Sequence, residues 1–236
     1  MISKGAKLAV LVSLVCAARS FCQESSSSPA KYSQWTGVIS LGFAPTFFNA
    51  KYADGDCWVS GFAFSCDYRA LYKPNGLCFA AKMLIGGVGS DTDLPSGYNT
   101  EDLTLDTGEL NGWDCWTSLT VGKQFEYNVF TFTPMLGLGA SYFSLEGEGQ
   151  ASLPSYTYYL DCDVSGYQVA VCADFTFGIM FTDYVGISAS LLLSCSLFGS
   201  VSQTLDIQGA GSVTKDYSLD FASFSFIPSF YLTARL

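Results

Sequence analysis

The chain has 236 residues, 49% of them hydrophobic and only 14% charged, with a formal net charge of -10. Soluble proteins average about 25% charged residues, so the composition is oily, yet no window reaches the roughly 20 consecutive apolar residues of a membrane-spanning helix. Histidine is absent, which excludes Ser–His hydrolysis and most catalytic zinc sites, and the negative charge argues against nucleic acid as a partner. The sequence therefore predicts neither an enzyme nor a bound metal or cofactor.

Residues 1–22 have the pattern of a secretory signal peptide. Two lysines near the start precede an apolar segment at 8–15 and a segment of small residues at 17–22. Cleavage sites in keeping with this pattern follow Ala17, Ser20 and Cys22. We expect residues 23–33 to be a flexible periplasmic lead-in and residues 34–236 to form one transmembrane domain.

Export permits disulfide bonds, and most of the nine cysteines lie beyond the signal. Those beyond it are Cys57, Cys66, Cys78, Cys115, Cys162, Cys172 and Cys195. Their spacing does not fit a zinc site. Cys57 and Cys162 lie in or near predicted loops and could pair, while a fully reduced set is at least as well supported. Acylation of a lipoprotein cysteine at Cys16 or Cys22 is a further alternative, disfavoured because neither has Leu or Val in the usual place before it.

Beyond residue 34, apolar residues alternate with small or polar residues in eight stretches. The predicted strands are 34–47, 57–72, 77–89, 113–123, 128–144, 165–181, 185–199 and 218–236. Because strand side chains point alternately to opposite faces, each stretch has one apolar face and one small, mostly neutral face. Each is also long enough to cross a bilayer, which takes about 9–11 residues. The pattern predicts an all-β fold, an eight-stranded antiparallel transmembrane β-barrel whose apolar faces meet outer-membrane lipid.

Charged residues avoid the predicted lipid face. Within the alternating apolar stretches, the charged residues Asp67, Arg69, Lys82, Asp114, Asp174 and Arg235 fall on the opposite face. A Lys or Arg facing lipid at the midplane costs roughly 2–4 kcal/mol, so a bilayer demands this segregation. Because buried charges must be paired, we predict a salt-bridged cluster in the lumen. Its predicted members are Asp67, Arg69, Lys82, Asp174 and Arg235. Such a cluster could line a narrow polar path or plug the barrel, and the plug is the favoured interpretation.

Three prolines interrupt the pattern. Pro45, Pro134 and Pro228 fall inside predicted strands, although a closed barrel has no edge at which a missing N–H is harmless. We expect each of them to lie at a bulge or near a rim, or else the predicted register to slip there.

The predicted connections alternate in length. Short ones are predicted at 73–76, 124–127 and 182–184, and long ones at 48–56, 90–112, 145–164 and 200–217. Outer-membrane barrels have short periplasmic turns and long extracellular loops, so both termini are expected in the periplasm. Aromatic residues gather near both rims, as expected for girdles at the two membrane interfaces. They are Trp35, Tyr72, Phe125, Tyr127, Phe181 and Tyr184 by the short turns, and Phe47, Trp58, Trp113, Tyr142 and Tyr167 by the long loops.

The long loops hold most of the 21 acidic residues of the chain. The second loop is uniformly acidic, with Asp91, Asp93, Glu101, Asp102, Asp106 and Glu109. Cation binding or a basic host partner is one interpretation, and a solvated surface is the favoured one. The segment from Asp91 to Asp93 lacks the Gly and the bidentate Glu of an EF-hand loop, so calcium is weakly supported.

In its architecture the chain resembles the small eight-stranded OmpW-like and OmpA-like outer-membrane proteins, particularly the small barrels of spirochaetes such as treponemes. The resemblance rests on the signal at 1–22, the strand pattern from Trp35 onward and the alternating last strand from Phe224 to Leu236. It implies a monomer that is inserted by the barrel-assembly machinery, which generally recognises a terminal aromatic where this chain has Leu236. It also implies passive permeation, so a narrow channel for small solutes is the leading prediction.

Two alternatives remain. A non-conducting structural or surface-exposed, adhesin-like barrel would meet host ligands through its loops. A soluble, lipocalin-like barrel would bind a ligand inside and turn its apolar faces inward. The Gly, Ala, Ser and Thr content of the second face argues against the lipocalin-like barrel, because a water-facing wall should be rich in Lys and Glu.

Overall fold

The computed structural model describes residues 34–52, 55–90, 104–107, 109–153, 156–209 and 211–236, which are mostly β-strand. The strands are β1 (Trp35–Tyr52), β2 (Gly55–Tyr72), β3 (Leu77–Ser90), β4 (Thr104–Thr107), β5 (Leu110–Lys123), β6 (Phe125–Tyr127), β7 (Phe130–Leu153), β8 (Tyr156–Met180), β9 (Val185–Ile207), β10 (Gly211–Ser218) and β11 (Phe224–Arg235). The predicted signal peptide and lead-in lie outside the described residues.

Eight of the strands close into a ring. Its order is β1, β2, β3, β5, β7, β8, β9 and β11, and β11 pairs with β1 to complete it. Every neighbouring pair is antiparallel, which confirms the predicted eight-stranded antiparallel barrel. The short strands β4 and β6 pair with β7, and β10 pairs with β9. Among the described residues, no helix has the length and apolarity needed to span a bilayer.

The predicted apolar faces point outward all around this ring. Leu119 is 71% exposed, Leu136 63% and Phe230 65%, whereas the intervening Ser118 and Ser229 are buried. A continuous apolar surface of this kind is stable where lipid covers it, and the ring leaves no open edge in the hydrocarbon. The soluble, lipocalin-like alternative is therefore wrong for this part of the wall, because the apolar rows lie on its outside.

Three of the four predicted long loops are largely strand. β7 has 24 residues and β8 has 25, and the two remain paired along their whole lengths. β9 continues to Ile207 and the chain then returns as β10. The loops predicted at 145–164 and 200–217 are therefore wrong, and so is the loop at 48–56, where β1 and β2 pair as far as Tyr52↔Gly55.

These strands continue because the alternation of apolar and polar residues persists beyond the membrane. There, the apolar residues face inward and the polar residues face outward, the reverse of the membrane-spanning part. Leu145 and Val164 face inward and are buried, while Glu146 and Asp163 face outward and are exposed. We call this part of the wall the outer sheet. It consists of β7 from Ser144, β8 up to Ser165, β9 from Ser200, and β10. Water replaces lipid as its surroundings, so apolar residues pack inside it as in a soluble β-protein.

A bulge in β9 helps this reversal. The β8–β9 register shifts between Val169 and Ala170, which pair with Phe198 and Ser196, so Leu197 is an additional residue. A bulge changes which residues face inward. Before the bulge in the chain, the even-numbered residues of β9 are buried. After the bulge, in the outer sheet, the odd-numbered residues are buried.

Two of the three predicted short turns are present, at 73–76 and 182–184. In the first, Gly76 adopts a φ of +73°, the left-handed conformation that glycine tolerates without a steric penalty. The turn predicted at 124–127 is wrong, because β6 lies there and the chain turns at Asn128. Asn128 has a φ of 55°, which Asn accepts more readily than most residues.

The prolines lie at interruptions of the hydrogen-bonded ladder, and no register shift accompanies them, so the expected bulges are wrong. The β1–β11 pairing is interrupted over 44–46 and 227–229 and continues in the same register on both sides. Pro45 and Pro228 are therefore directly opposite each other. The two backbone N–H groups that proline lacks are thus both missing at the same interruption of the β1–β11 ladder. Pro134 lies near the break between β5 and β6.

Candidate functional site: a charged lumen beneath an apolar plug

Four charged side chains meet inside the barrel. Asp67 on β2 and Lys82 on β3 are paired residues of neighbouring strands, Arg69 follows two residues along β2, and Asp174 lies on β8. Period two sends all four to the inner face, where each is only 1–3% exposed. Four of the five residues predicted for the luminal cluster are thus brought together.

These four charges form two ion pairs. Arg69 Nε lies 2.9 Å from Asp67 Oδ2, and Lys82 Nζ contacts Asp174 Oδ2. The second pair joins β3 to β8, which β5 and β7 separate in the ring, so it crosses the lumen. Two acids and two bases balance one another, as burial away from water requires.

Lys82 reaches further strands of the ring. Its Nζ donates a hydrogen bond to Ser190 Oγ of β9 at 2.8 Å and lies 5.7 Å from the ring centroid of Tyr231 on β11. The Tyr231 hydroxyl in turn lies 2.8 Å from Ser65 Oγ of β2. Lys82 of β3 therefore contacts side chains of β8, β9 and β11, which are far from it in sequence.

A second set of hydrogen bonds starts at Arg69. Its Nη2 donates to Ser40 Oγ at 3.1 Å, and Thr233 Oγ1 lies 3.0 Å from Ser40 Oγ and 2.7 Å from Ser188 Oγ. We call the ion pairs and both sets of hydrogen bonds the luminal network. It connects β1, β2, β3, β8, β9 and β11, so it braces most of the ring from inside.

Arg235 is not part of the luminal network, which corrects the fifth predicted member. Its Nη2 donates to Glu126 Oε1 at 2.8 Å, and both side chains are partly exposed. Arg235 is at the end of β11, and Glu126 lies on β6, which pairs with β7 on the opposite side of the ring. Sequence reasoning could not find this pair because it placed a turn where β6 lies.

Above the luminal network, apolar side chains fill the bore. We call this cluster the apolar plug. It consists of Ala50, Val59, Val88, Leu110, Phe143, Leu145, Cys162, Val164, Val201, Leu205 and Leu219, with Phe48 and Tyr217 packed against it. The rings of Phe48 and Phe143 have centroids 5.7 Å apart. Phe48 lies on β1 and Phe143 on β7, which are opposite strands of the ring, so this contact spans the bore.

Below the plug, the lumen holds polar side chains together with two smaller apolar clusters, one around Trp116 and Leu84 and one around Leu71 and Met135. The hydroxyls of Ser118, Ser194 and Ser229 are buried without a hydrogen-bond partner among the described residues. A cavity of about 340 Å³ at the short-turn end is lined in part by Lys73 and Glu126. Below the plug, polar and apolar side chains thus share the interior, with the luminal network across its middle.

Sequence reasoning missed a second group of charges, on the outside of the outer sheet. Glu148, Asp161 and Asp206 are directly paired residues of β7, β8 and β9, and Glu146 is paired with Asp163. All of them are exposed. Like charges directly opposite one another repel, so this face is strongly negative. Alternation of carboxylates with Leu and Val at 145–164 is the signal that could have predicted it.

The predicted acidic loop is described only in part. Asp91, Asp93, Glu101 and Asp102 lie outside the described residues. The backbone of Asp106 belongs to β4, and Glu109 is exposed. Within the described part of the chain, no group of three or more acidic, Cys or His side chains is placed to hold a metal ion.

The cysteines do not test the predicted pairing. Among the described side chains, Cys66, Cys78, Cys115, Cys172 and Cys195 form no disulfide bond. Cys162 is buried in the apolar plug, and the side chain of Cys57 lies outside the described residues. A bond between Cys57 and Cys162 therefore stays a prediction.

Comparison with known proteins shows likeness of fold only. No family model and no curated protein matches the sequence. A major outer membrane protein from Thermus thermophilus is 12% identical, with a TM-score of 0.51 over 83% of this chain and 99% of its own. The outer membrane protein OprG from Pseudomonas aeruginosa is 10% identical, with a TM-score of 0.52 over 85% and 95%. Ail, the attachment invasion locus protein of Yersinia pestis, is 13% identical, with a TM-score of 0.44 over 85% and 98%.

The first two structures share the closed antiparallel barrel fold of outer-membrane proteins. Together with the apolar outer surface described above, this fold makes the chain a β-barrel of the bacterial outer membrane. The resemblance to OmpW-like proteins and to spirochaete barrels stays a prediction.

Proposed function

We propose that the protein is a non-conducting barrel that presents the outer sheet to molecules outside the cell. The observation that carries this proposal is the apolar plug, in which Phe48 meets Phe143 across the bore. Constrictions lined by apolar side chains exclude water and ions. The luminal network adds a second barrier, because its charges are already paired with one another and are not free to bind a passing solute.

The outer sheet supports a role in surface contact. It lies beyond the lipid-facing rows and carries carboxylates on three neighbouring strands. Concentrated charge of one sign attracts oppositely charged partners and speeds their encounter. This arrangement favours the adhesin-like alternative from the sequence over the passive channel.

Refolded protein in planar bilayers is expected to show no conductance above background, because the plug keeps the bore dry. Replacing both Phe48 and Phe143 by alanine removes the contact that spans the bore. The matched control is Tyr142→Ala, which truncates the neighbouring outward-facing ring and leaves the plug intact. Steady conductance of the unaltered protein, lowered by Lys82→Ala, would contradict the proposal and support the passive channel.

A gated channel is the second candidate function. The observation that favours it is the set of buried, unpartnered hydroxyls of Ser118, Ser194 and Ser229 beneath the plug. Polar sites of this kind suit ordered water. A gated channel requires current to appear in the Phe48→Ala/Phe143→Ala variant and to be absent from the Tyr142→Ala control, whereas in a permanently closed barrel the luminal network keeps both variants silent.

A further inference from the structure

β10 leaves one edge of the outer sheet open. It pairs with β9 alone and ends the sheet. Leu219 N donates to Gly199 O at 3.0 Å in the same register, so the odd-numbered residues of β10 are the ones that bond to β9. The even-numbered residues turn their N–H and C=O groups away from β9. They are Ser212, Thr214, Asp216 and Ser218, and their side chains are exposed.

This edge has little of the usual protection. Within the described residues, no backbone hydrogen bond from another element reaches these four residues. Natural edges are commonly blunted by shortness, proline, a bulge or charged side chains. β10 has eight residues, no proline and an unbroken register with β9, and its charged residues are Lys215 and Asp216. An open edge of this kind is a template for another strand.

We infer that the free edge of β10 binds an extended, basic polypeptide segment, which joins the outer sheet as an antiparallel strand. This inference rests on the proposed function and names the class of partner for it. The backbone groups of the four even-numbered residues supply the hydrogen bonds, and the carboxylates of the outer face select the charge.

The charge preference follows from the register. Residues of the added strand that bond to β10 turn their side chains to the same outer face as Thr214 and Asp216. Asp206 of β9 is paired with Ser212, and Asp161 of β8 is paired with Asp206, so a row of carboxylates leads to the edge. Among the described side chains on this face of β8, β9 and β10, none is basic. Lys or Arg at alternate positions of the partner complements this row.

A second copy of the chain does not fit this edge. Two barrels inserted the same way in one membrane are related by rotation about the membrane normal, so their β10 strands run in the same direction. Antiparallel pairing between them is excluded, and two acidic faces would also repel each other. The occupant is therefore a different, basic polypeptide.

The test uses the full chain refolded in detergent micelles and ten-residue peptides of alternating Lys and Thr. When such a peptide pairs with β10 and turns its Lys side chains to the acidic outer face, the backbone groups of the Lys residues are the ones that bond to β10. Backbone N-methylation of every Lys removes those donors, while N-methylation of every Thr leaves them and keeps the same charge. We expect binding of the unmodified and Thr-methylated peptides, and a Kd about tenfold or more weaker for the Lys-methylated one, because several hydrogen bonds are lost together.

Matched variants of the protein locate the contact. Thr214→Pro removes an edge N–H without removing a bond to β9, and Thr214→Ala keeps that N–H. We expect Thr214→Pro and Asp216→Lys to weaken binding and Thr214→Ala to leave it unchanged. A thermal unfolding curve of Thr214→Pro checks that the outer sheet remains folded, and Asp216→Lys tests the same edge if it does not.

Equal binding of the two N-methylated peptides would overturn the inference, because charge alone would then explain the attraction. Absence of binding by the unmodified peptide would overturn it as well. Neither result depends on bilayer conductance, so a silent barrel that does not bind the peptide leaves the proposed function standing. Conversely, a barrel that conducts and also binds the peptide at this edge would contradict the proposed function and support the inference.

Discussion

Replacing Asp174 by alanine is expected to lower the free energy of unfolding by about 3–5 kcal/mol. The cost arises because Lys82 is left buried in the closed lumen without its partner across the bore. The measurement is urea-dependent unfolding in lipid vesicles, followed by tryptophan fluorescence and by heat-modifiable mobility on gels.

The control replaces both members of the pair by apolar residues of similar size. Lys82→Met combined with Asp174→Leu is expected to recover most of the loss, because no charge is then left without a partner. Arg235→Ala at the short-turn rim breaks a partly exposed pair and should cost at most about 1 kcal/mol. If Asp174→Ala costs no more than Arg235→Ala, the luminal network does not brace the barrel.

Replacing Leu138 by arginine is expected to cost roughly 2–4 kcal/mol, the penalty for a cation in the hydrocarbon region. Leu138 lies on the outer face of β7 and is 56% exposed, between rows that meet lipid. The variant is compared with the unaltered chain by the same vesicle-based unfolding measurement.

Glu146→Arg is the matched control on the same face of the same strand. Glu146 lies in the outer sheet opposite Asp163, so a cation there has water around it and removes a repulsion. We expect a change of about 0–1 kcal/mol, with a stabilising sign. Equal costs at the two positions would show that the membrane boundary does not fall between them.

The membrane-spanning wall could be predicted from the sequence because its physics is local. Residues such as Leu119 and Ser118 alternate along one strand, and lipid on one side and a packed interior on the other sort them by polarity. The inward position of Lys82 and Asp174 follows from the same alternation. The ion pair between them crosses the bore between strands that are not neighbours, so it follows only from the closure of the ring.

The outer sheet could not be recognised by the same rule. Carboxylates such as Glu148 and Asp161 are typical of loops, and the interpretation as strand requires that water take the place of lipid on the outer face. The contact between Phe48 and Phe143 depends on ring closure in the same way as the luminal ion pair. The opposition of Pro45 and Pro228 depends on how the first and last strands pair, which no local pattern specifies.

The length of the β7–β8 hairpin determines how far the molecule reaches. At about 3.3 Å per residue and a tilt of about 40°, a 25-residue strand rises roughly 60 Å. The apolar band of such barrels is about 25 Å tall, so roughly 35 Å of the hairpin projects beyond it on the extracellular side. Lipid headgroups occupy only about 5–8 Å per leaflet, so the outermost paired residues of β7 and β8 lie beyond them in open solvent.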